Sequence, residues 1–301
     1  MHPAGVAAAA LAAAGGHPMH RAQLDPRRPH FQPWKAARYY TQRLVTDPSH
    51  RRLVADFLAA RVARAVGKPP APLAGFETDG LQRLEQAGWL PLGMRLDAGQ
   101  VREIRNHLAG RAPERVVGGG SVQDFSVADV LACPHLSELA MSGPVLRLAG
   151  AYLGCAPTIA MVGLRRSLPG AASIDGGRLF HRDIDTWRSC KLFVYLTDVD
   201  ADGGPHIYVE NSHRRAGELR IRMSERVADD SRAVAVTGPA GFCFLADTFG
   251  VHRGMPPQKG ERLMAQFQYA VGPIDLYDYP NRERLPEDGN VLTAWSRRLF
   301  S

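Results

Sequence analysis

Three things are missing from this chain, and each narrows what it can be. No run of about 18 apolar residues is present, so a membrane span is not expected. No two of Cys133, Cys155, Cys190 and Cys243 stand at C-x-x-C spacing. That scatter excludes a zinc knuckle and a disulfide framework, and it favours a reducing, cytoplasmic setting. Residues 1–70 contain no glutamate, only Asp25, Asp47 and Asp56, against 11 lysines and arginines. Of the totals of 37 basic and 30 acidic residues, 26 and 27 therefore lie in 71–301, which is close to neutral.

The net charge of +7 thus belongs to an N-terminal extension and not to the body, and no nucleic-acid partner is expected. The extension reads either as an arm that attracts an acidic partner or anionic substrate, or as a solvated helical face. The second is the simpler reading. Residues 4–16 (AGVAAAALAAAGG) have only His2 before them in place of the positive n-region of a secretory signal. They read as part of a disordered Ala/Gly/Pro-rich leader over 1–33.

What is present falls into two regimes. From about 34 to 153 the apolar spacing is helical. A basic helical extension covers 34–70, in which Leu53, Val54, Phe57, Leu58, Val62 and Val66 recur at three- and four-residue intervals. Pro69, Pro70 and Pro72 then suggest a linker. The body, 71–301, has a helical part over about 76–153, with helices near 77–87, 98–109 and 136–152. Asp97 and Gln100 form a capping-box pattern before the second of these, and Gly154 ends the third.

From about 158 to 272 short β-type runs take over: 159–165, 177–184, 191–197, 206–210, 233–237, 241–246 and 262–270, with Gly, Pro, Asp and Asn between them. Residues 273–301 read as a tail. So many short strands without alternating helices predict an α+β protein with a jelly-roll core, a double-stranded β-helix with N-terminal helices packed against it.

The chemistry concentrates in two segments. In Phe180-His181-Arg182-Asp183 the imidazole and the carboxylate are two residues apart, so on a strand they share a face. In the segment 247–254, His252 offers a third ligand. Two histidines and one carboxylate on one face of an octahedral ion leave three positions open, which suits iron(II) oxygenases. Zinc with a water would also be satisfied, so a zinc hydrolase on the same ligands remains open.

Arg262 follows His252 by ten residues across a Gly/Pro/Lys turn, which places it on the adjacent strand. A guanidinium there can grip a carboxylate through two parallel hydrogen bonds, as the distal end of 2-oxoglutarate requires. Lys191 and Tyr195 share a face of their strand with Phe193 and are further candidates for holding that cosubstrate. The alternative is a polar face that meets solvent. Met264, Gln266 and Gln268 share the face of Arg262. His206 and His213 read as loop or strand-end residues, and His107 and His135 as structural ones.

His181-Arg182-Asp183, His252 and Arg262, with Gly-Gly-Pro-His and Asn-Ser-His-Arg inside 203–214, resemble the phytanoyl-CoA dioxygenase family over roughly 160–272. The resemblance implies a double-stranded β-helix, Fe(II), 2-oxoglutarate and O2, and hydroxylation of an aliphatic C–H with release of succinate and CO2. It implies a small-molecule substrate, either free, as a CoA thioester or on a carrier protein. One departure is that Glu210-Asn211-Ser212-His213 replaces the family's Pro-Gly-Ser-His turn. A same-fold halogenase would need a small residue in place of Asp183. A non-catalytic β-sandwich binding module would need neither the ligand set nor Arg262.

Overall fold

A computed structural model describes residues 26–27, 31–67, 75–169, 180–216 and 231–274. Most of the expected leader, the Pro69–Pro72 linker, the start of the 177–184 run and the tail from 275 lie outside the described residues.

Two helices form the extension, α1 (Pro33–Leu44) and α2 (Pro48–Val66). Asp47 caps α2 by accepting from the backbone N–H groups of Ser49 and His50, and prolines open both helices, where a missing N–H costs nothing. Helix α3 (Phe76–Ala87) leads into strand β1 (Trp89–Arg95), and α4 (Ala98–Ala109) begins on the predicted capping box with both reciprocal bonds formed. A short hairpin, β2 (Arg115–Val117) and β3 (Val122–Asp124), is followed by α5 (Val127–Ala132), α6 (Leu136–Ala140) and α7 (Gly143–Leu153). The remaining strands are β4 (Thr158–Ser167), β5 (Ser189–Tyr195), β6 (His206–Val209), β7 (Ala233–Val236), β8 (Phe242–Ala246), β9 (His252–Gly254) and β10 (Arg262–Ala270).

Among the described residues, seven strands form a main sheet in the order β1-β8-β5-β10-β4-β3-β2, and three form a second sheet in the order β7-β6-β9. All pairings are antiparallel. This is the expected double-stranded β-helix architecture. Reading 76–153 as wholly helical misses three strands of the main sheet, β1, β2 and β3. Strand β1 carries Pro91, which cannot donate to a ladder, and it is tolerated because β1 is an edge strand. The β2–β3 hairpin turns on Gly118, Gly119 and Gly120, all at positive φ.

The alternation read along β5 and β10 sorts residues between two layers. Leu192 and Val194 of β5, with Leu263, Ala265, Phe267 and Tyr269 of β10, pack in one cluster with the helices, including Leu146 and Leu153 of α7. Phe193, Tyr195 and Met264 point the other way, into a cluster with Tyr208 and Val236 of the small sheet. The barrel interior lies between the two sheets, so Arg262 and Lys191, which share the parity of these residues, face it.

The extension docks differently from its apolar pattern. Its α2 buries Arg51, Ala55 and Ala59, with Leu58 and Val62 partly covered, while Leu53 and Phe57 are 70% and 61% exposed.

Candidate metal centre

His181 and His252 face each other across an isolated antiparallel bridge, each backbone N–H donating to the other's carbonyl at 2.9 and 3.0 Å. Directly opposed residues of such a pair project to the same side, so both imidazoles enter the barrel interior. Strand β6 continues the row, with Tyr208 opposite His252 and His206 opposite Gly254. Asp183 is held two residues beyond His181 by its N–H, which donates to the Thr248 carbonyl at 2.8 Å.

Ligand atoms of His181, Asp183 and His252 all lie within 4.8 Å of one another. His181 Nε2 is 3.7 Å from Asp183 Oδ1, and His252 Nε2 is 3.8 Å from Asp183 Oδ2. Donors bound at about 2 Å on one face of an octahedral ion stand roughly 3 Å apart, so these three surround one point and would draw slightly closer on a bound ion. The donor set also has the right protonation. His252 Nδ1 donates to the Gly250 carbonyl at 2.9 Å, which leaves the Nε2 lone pair for a metal. Burial, reinforced by His181, pushes the His252 imidazole down to about 3, so it is neutral at pH 7. Burial would push the Asp183 carboxyl up, but Lys191, His252 and His181 outweigh it and hold the group well below the usual carboxylate range.

Close packing makes Gly250 obligatory. A Cβ there would collide with the Tyr208 hydroxyl, which donates to the Asp247 carbonyl at 2.8 Å and ties the β8–β9 connection to β6.

The other expected site residues all reach the interior, with their polar groups engaged. Lys191 Nζ donates to Asp183 Oδ2 at 2.6 Å, so it braces that carboxylate directly. The Tyr195 hydroxyl donates to the Val236 carbonyl at 2.8 Å and accepts from the His206 N–H at 3.2 Å, which links β5 to the small sheet. Arg262 is buried at the start of β10. Its guanidinium donates to the carbonyls of Gly204 and of Met255 (3.0 Å) and to the Ser167 hydroxyl (3.3 Å). It lies against Gly254, whose missing side chain leaves it room.

One residue has a larger place than the sequence suggested. His206, read there as a loop or strand-end residue, is buried, stacks on the candidate ligand His252 with ring centroids 5.2 Å apart, and packs at a tilt against Phe193 at 4.8 Å. Burial holds its imidazole neutral, and its Nε2 has no hydrogen-bond partner among the described residues. The available signal was its parity with Tyr208 on β6, which carries weight only once β6 is known to pair with β9.

The segment after the ligands is gripped by the extension. Tyr39 and Arg43 donate to Asp185 Oδ1 at 3.2 and 2.9 Å, Gln42 donates to the Asp185 carbonyl at 2.5 Å, and Arg51 donates to the Thr186 carbonyl. Phe249 is stacked between Arg51 and Arg182, at 4.8 and 5.2 Å.

No protein-family model and no curated protein sequence matches this chain. Solved structures do. HygX from Streptomyces hygroscopicus, with nickel, 2-oxoglutarate and hygromycin B bound, is 16% identical, with a TM-score of 0.50 over 64% of this chain and 86% of that one. EctD from S. alaskensis, with 2-oxoglutarate and 5-hydroxyectoine, is 20% identical, with a TM-score of 0.51 over 66% and 77%. The epimerase SnoN, in complex with Fe3+, alpha ketoglutarate and nogalamycin RO, is 20% identical, with a TM-score of 0.50 over 69% and 91%. At these identities the likeness is one of fold: this chain is built on the same double-stranded β-helix as HygX, EctD and SnoN.

Proposed function

We propose that this chain is an iron(II)- and 2-oxoglutarate-dependent oxygenase that hydroxylates an aliphatic C–H of a small molecule, free or carried as a thioester. The observation that carries this reading is the convergence of His181, Asp183 and His252 on one point inside the barrel. The 2-oxoglutarate bound in HygX and EctD, which share the fold, and the resemblance of 160–272 to the phytanoyl-CoA dioxygenase family, support it. When bound, iron(II) with 2-oxoglutarate and O2 supplies the oxidising power, giving succinate and CO2 as coproducts.

The chain's own part is to hold geometry and exclude water. His252, locked by Gly250, and His181, locked by the cross-strand bridge, each offer one nitrogen. Asp183 offers Oδ1 while Lys191 restrains Oδ2. Deeper in the barrel, the buried Arg262 supplies the positive charge for the cosubstrate's distal carboxylate, and His206 Nε2 gives the wall a polar atom still to be satisfied. Lys191, with three donors, can hold Asp183 and still donate to the cosubstrate. Tyr195 keeps β5 against β6 and β7. His181 and Asp183 have side chains 18% and 17% exposed while that of His252 is only 5%, so substrate approaches past the first two. Among the described residues, no helix is long and apolar enough to cross a membrane.

The test is an anaerobic titration of the protein with iron(II) and then 2-oxoglutarate. A weak visible charge-transfer band that saturates at one equivalent of each supports the proposal. Hydrolase activity with zinc that is indifferent to 2-oxoglutarate would replace it.

A further inference from the structure

A second polar cavity, of about 260 Å³, opens where the start of α2, the end of α3, α7 and the segments 187–188, 213–214 and 247–249 meet. It contains none of the three metal-ligand residues. Four guanidinium groups line it, those of Arg51, Arg52, Arg188 and Arg214, against two carboxylates, Glu85 and Asp247. The lining histidine, His213, is kept neutral by burial, so the described lining residues carry more positive than negative charge, part of it offset by Asp56 beside Arg52 and Arg188.

The carboxylates offset these cations only in part. Asp247 accepts from the Tyr152 hydroxyl and from the Phe249 N–H at 2.8 Å, so its oxygens are turned to neutral donors. Glu85 reaches Arg52 at 3.9 Å, and the half-exposed Asp56 stands 3.8 Å from both Arg52 and Arg188. Among the described residues, no carboxylate lies within ion-pair distance of Arg51 or Arg214.

Arg51 is the strongest sign of a built site. It is 3% exposed, its terminal nitrogens donate to the carbonyls of Gln42, Val45 and Thr186, and its Nε has no partner among the described residues. A buried cation with neutral acceptors and an unmet donor is costly, and an anion against it offsets that cost. The lining His213 is fixed in place by its Nε2, which donates to the Glu85 carbonyl at 3.0 Å.

We infer that this cavity binds a phosphoryl dianion. Guanidinium forks match tetrahedral oxyanions, and a net positive wall suits the negative charge of a phosphate monoester at neutral pH. The volume falls just below the range of about 300–1,000 Å³ typical of drug-sized ligands, which leaves room for a small substituent on the phosphate. The ligand is therefore free phosphate or a small organic phosphomonoester. The inference does not depend on the reaction at the metal.

Calorimetric titration of the full chain with inorganic phosphate and, separately, glycerol 2-phosphate at constant ionic strength of about 0.1 M tests it. Saturable one-to-one binding is expected. Arg52→Gln/Arg214→Gln, two exposed positions whose loss leaves the fold intact, should weaken it about tenfold or more, as loss of charge-assisted hydrogen bonds does. Arg262→Gln should leave it unchanged. Tighter binding of the organic ester identifies the source as a phosphorylated metabolite, and equal binding identifies free phosphate. Absence of binding, or binding abolished by Arg262→Gln and kept by the double variant, overturns the inference.

Discussion

Strand β5 lies inside the main sheet and helix α2 packs on the outside of the body, and they are held by opposite means. Every residue of β5 is buried, with Leu192 and Val194 under the helices and Phe193 and Tyr195 against the small sheet. Helix α2 buries an arginine and two alanines, leaves Leu53 and Phe57 in solvent, and fastens itself through Arg51 to the backbone at Thr186. Helix α1 does likewise, through Tyr39, Gln42 and Arg43 onto Asp185. Apolar burial is non-directional and makes the sheet stable; hydrogen bonds are directional and fix where one short segment lies. That segment begins two residues after Asp183. The extension therefore bears on the placement of the ligands more than on the existence of the fold.

The largest effect is expected at the metal itself. Asp183→Gly should reduce 2-oxoglutarate turnover, measured as succinate release, to the background of metal-free protein, while urea denaturation shows the fold intact. Robust hydroxylation by this variant would sink the three-ligand assignment. Chlorination is not expected from it.

In the sheet, Phe267→Ala removes a fully buried ring from the β10 core and should cost about 3–5 kcal/mol in denaturant unfolding. Arg262→Ala should weaken 2-oxoglutarate binding by about 2–5 kcal/mol with iron binding retained, read from the charge-transfer titration. Unchanged cosubstrate affinity would transfer the role to Lys191.

Changes in the extension should be smaller and of another kind. Arg51→Met keeps the packing volume but loses the bonds to Thr186, Gln42 and Val45. Metal affinity should fall about tenfold, the lower end of what is seen when a group orienting a ligand is lost, with a smaller loss of stability than Phe267→Ala. The reverse outcome would make α2 ordinary core. The smallest effect concerns charge. Truncation to Pro33 should leave kcat/KM unchanged across a salt series. Truncation to Pro70 should lower stability and metal affinity without a salt-dependent loss of kcat/KM. A salt-sensitive loss confined to the longer truncation would mean that the extension steers an anion.

Much of the site was legible because its signals are local. The i, i+2 spacing of His181 and Asp183, the parity of Arg262 with Met264, and the reciprocal pair Asp97 and Gln100 each need only the geometry of one element. Strand β1 was hidden because Pro91 argues against a strand unless the strand is known to be an edge. The docking face of α2 was misread because periodicity marks the apolar residues, whereas Arg51 and two small alanines are what fit against the body.

The sequence by itself determined the ligand types, their spacing, the alternation of β5 and β10 and the near-neutral body, since these depend on residues close together in the chain. Only the tertiary structure decided that His252 lies opposite His181, that His206 stacks beside it, that Lys191 meets Asp183, and that four arginines from α2, 188 and 214 surround one cavity. Each of these joins residues brought together by strand pairing or helix docking. Pairing register is set by the burial of whole faces and not by any residue in the pair.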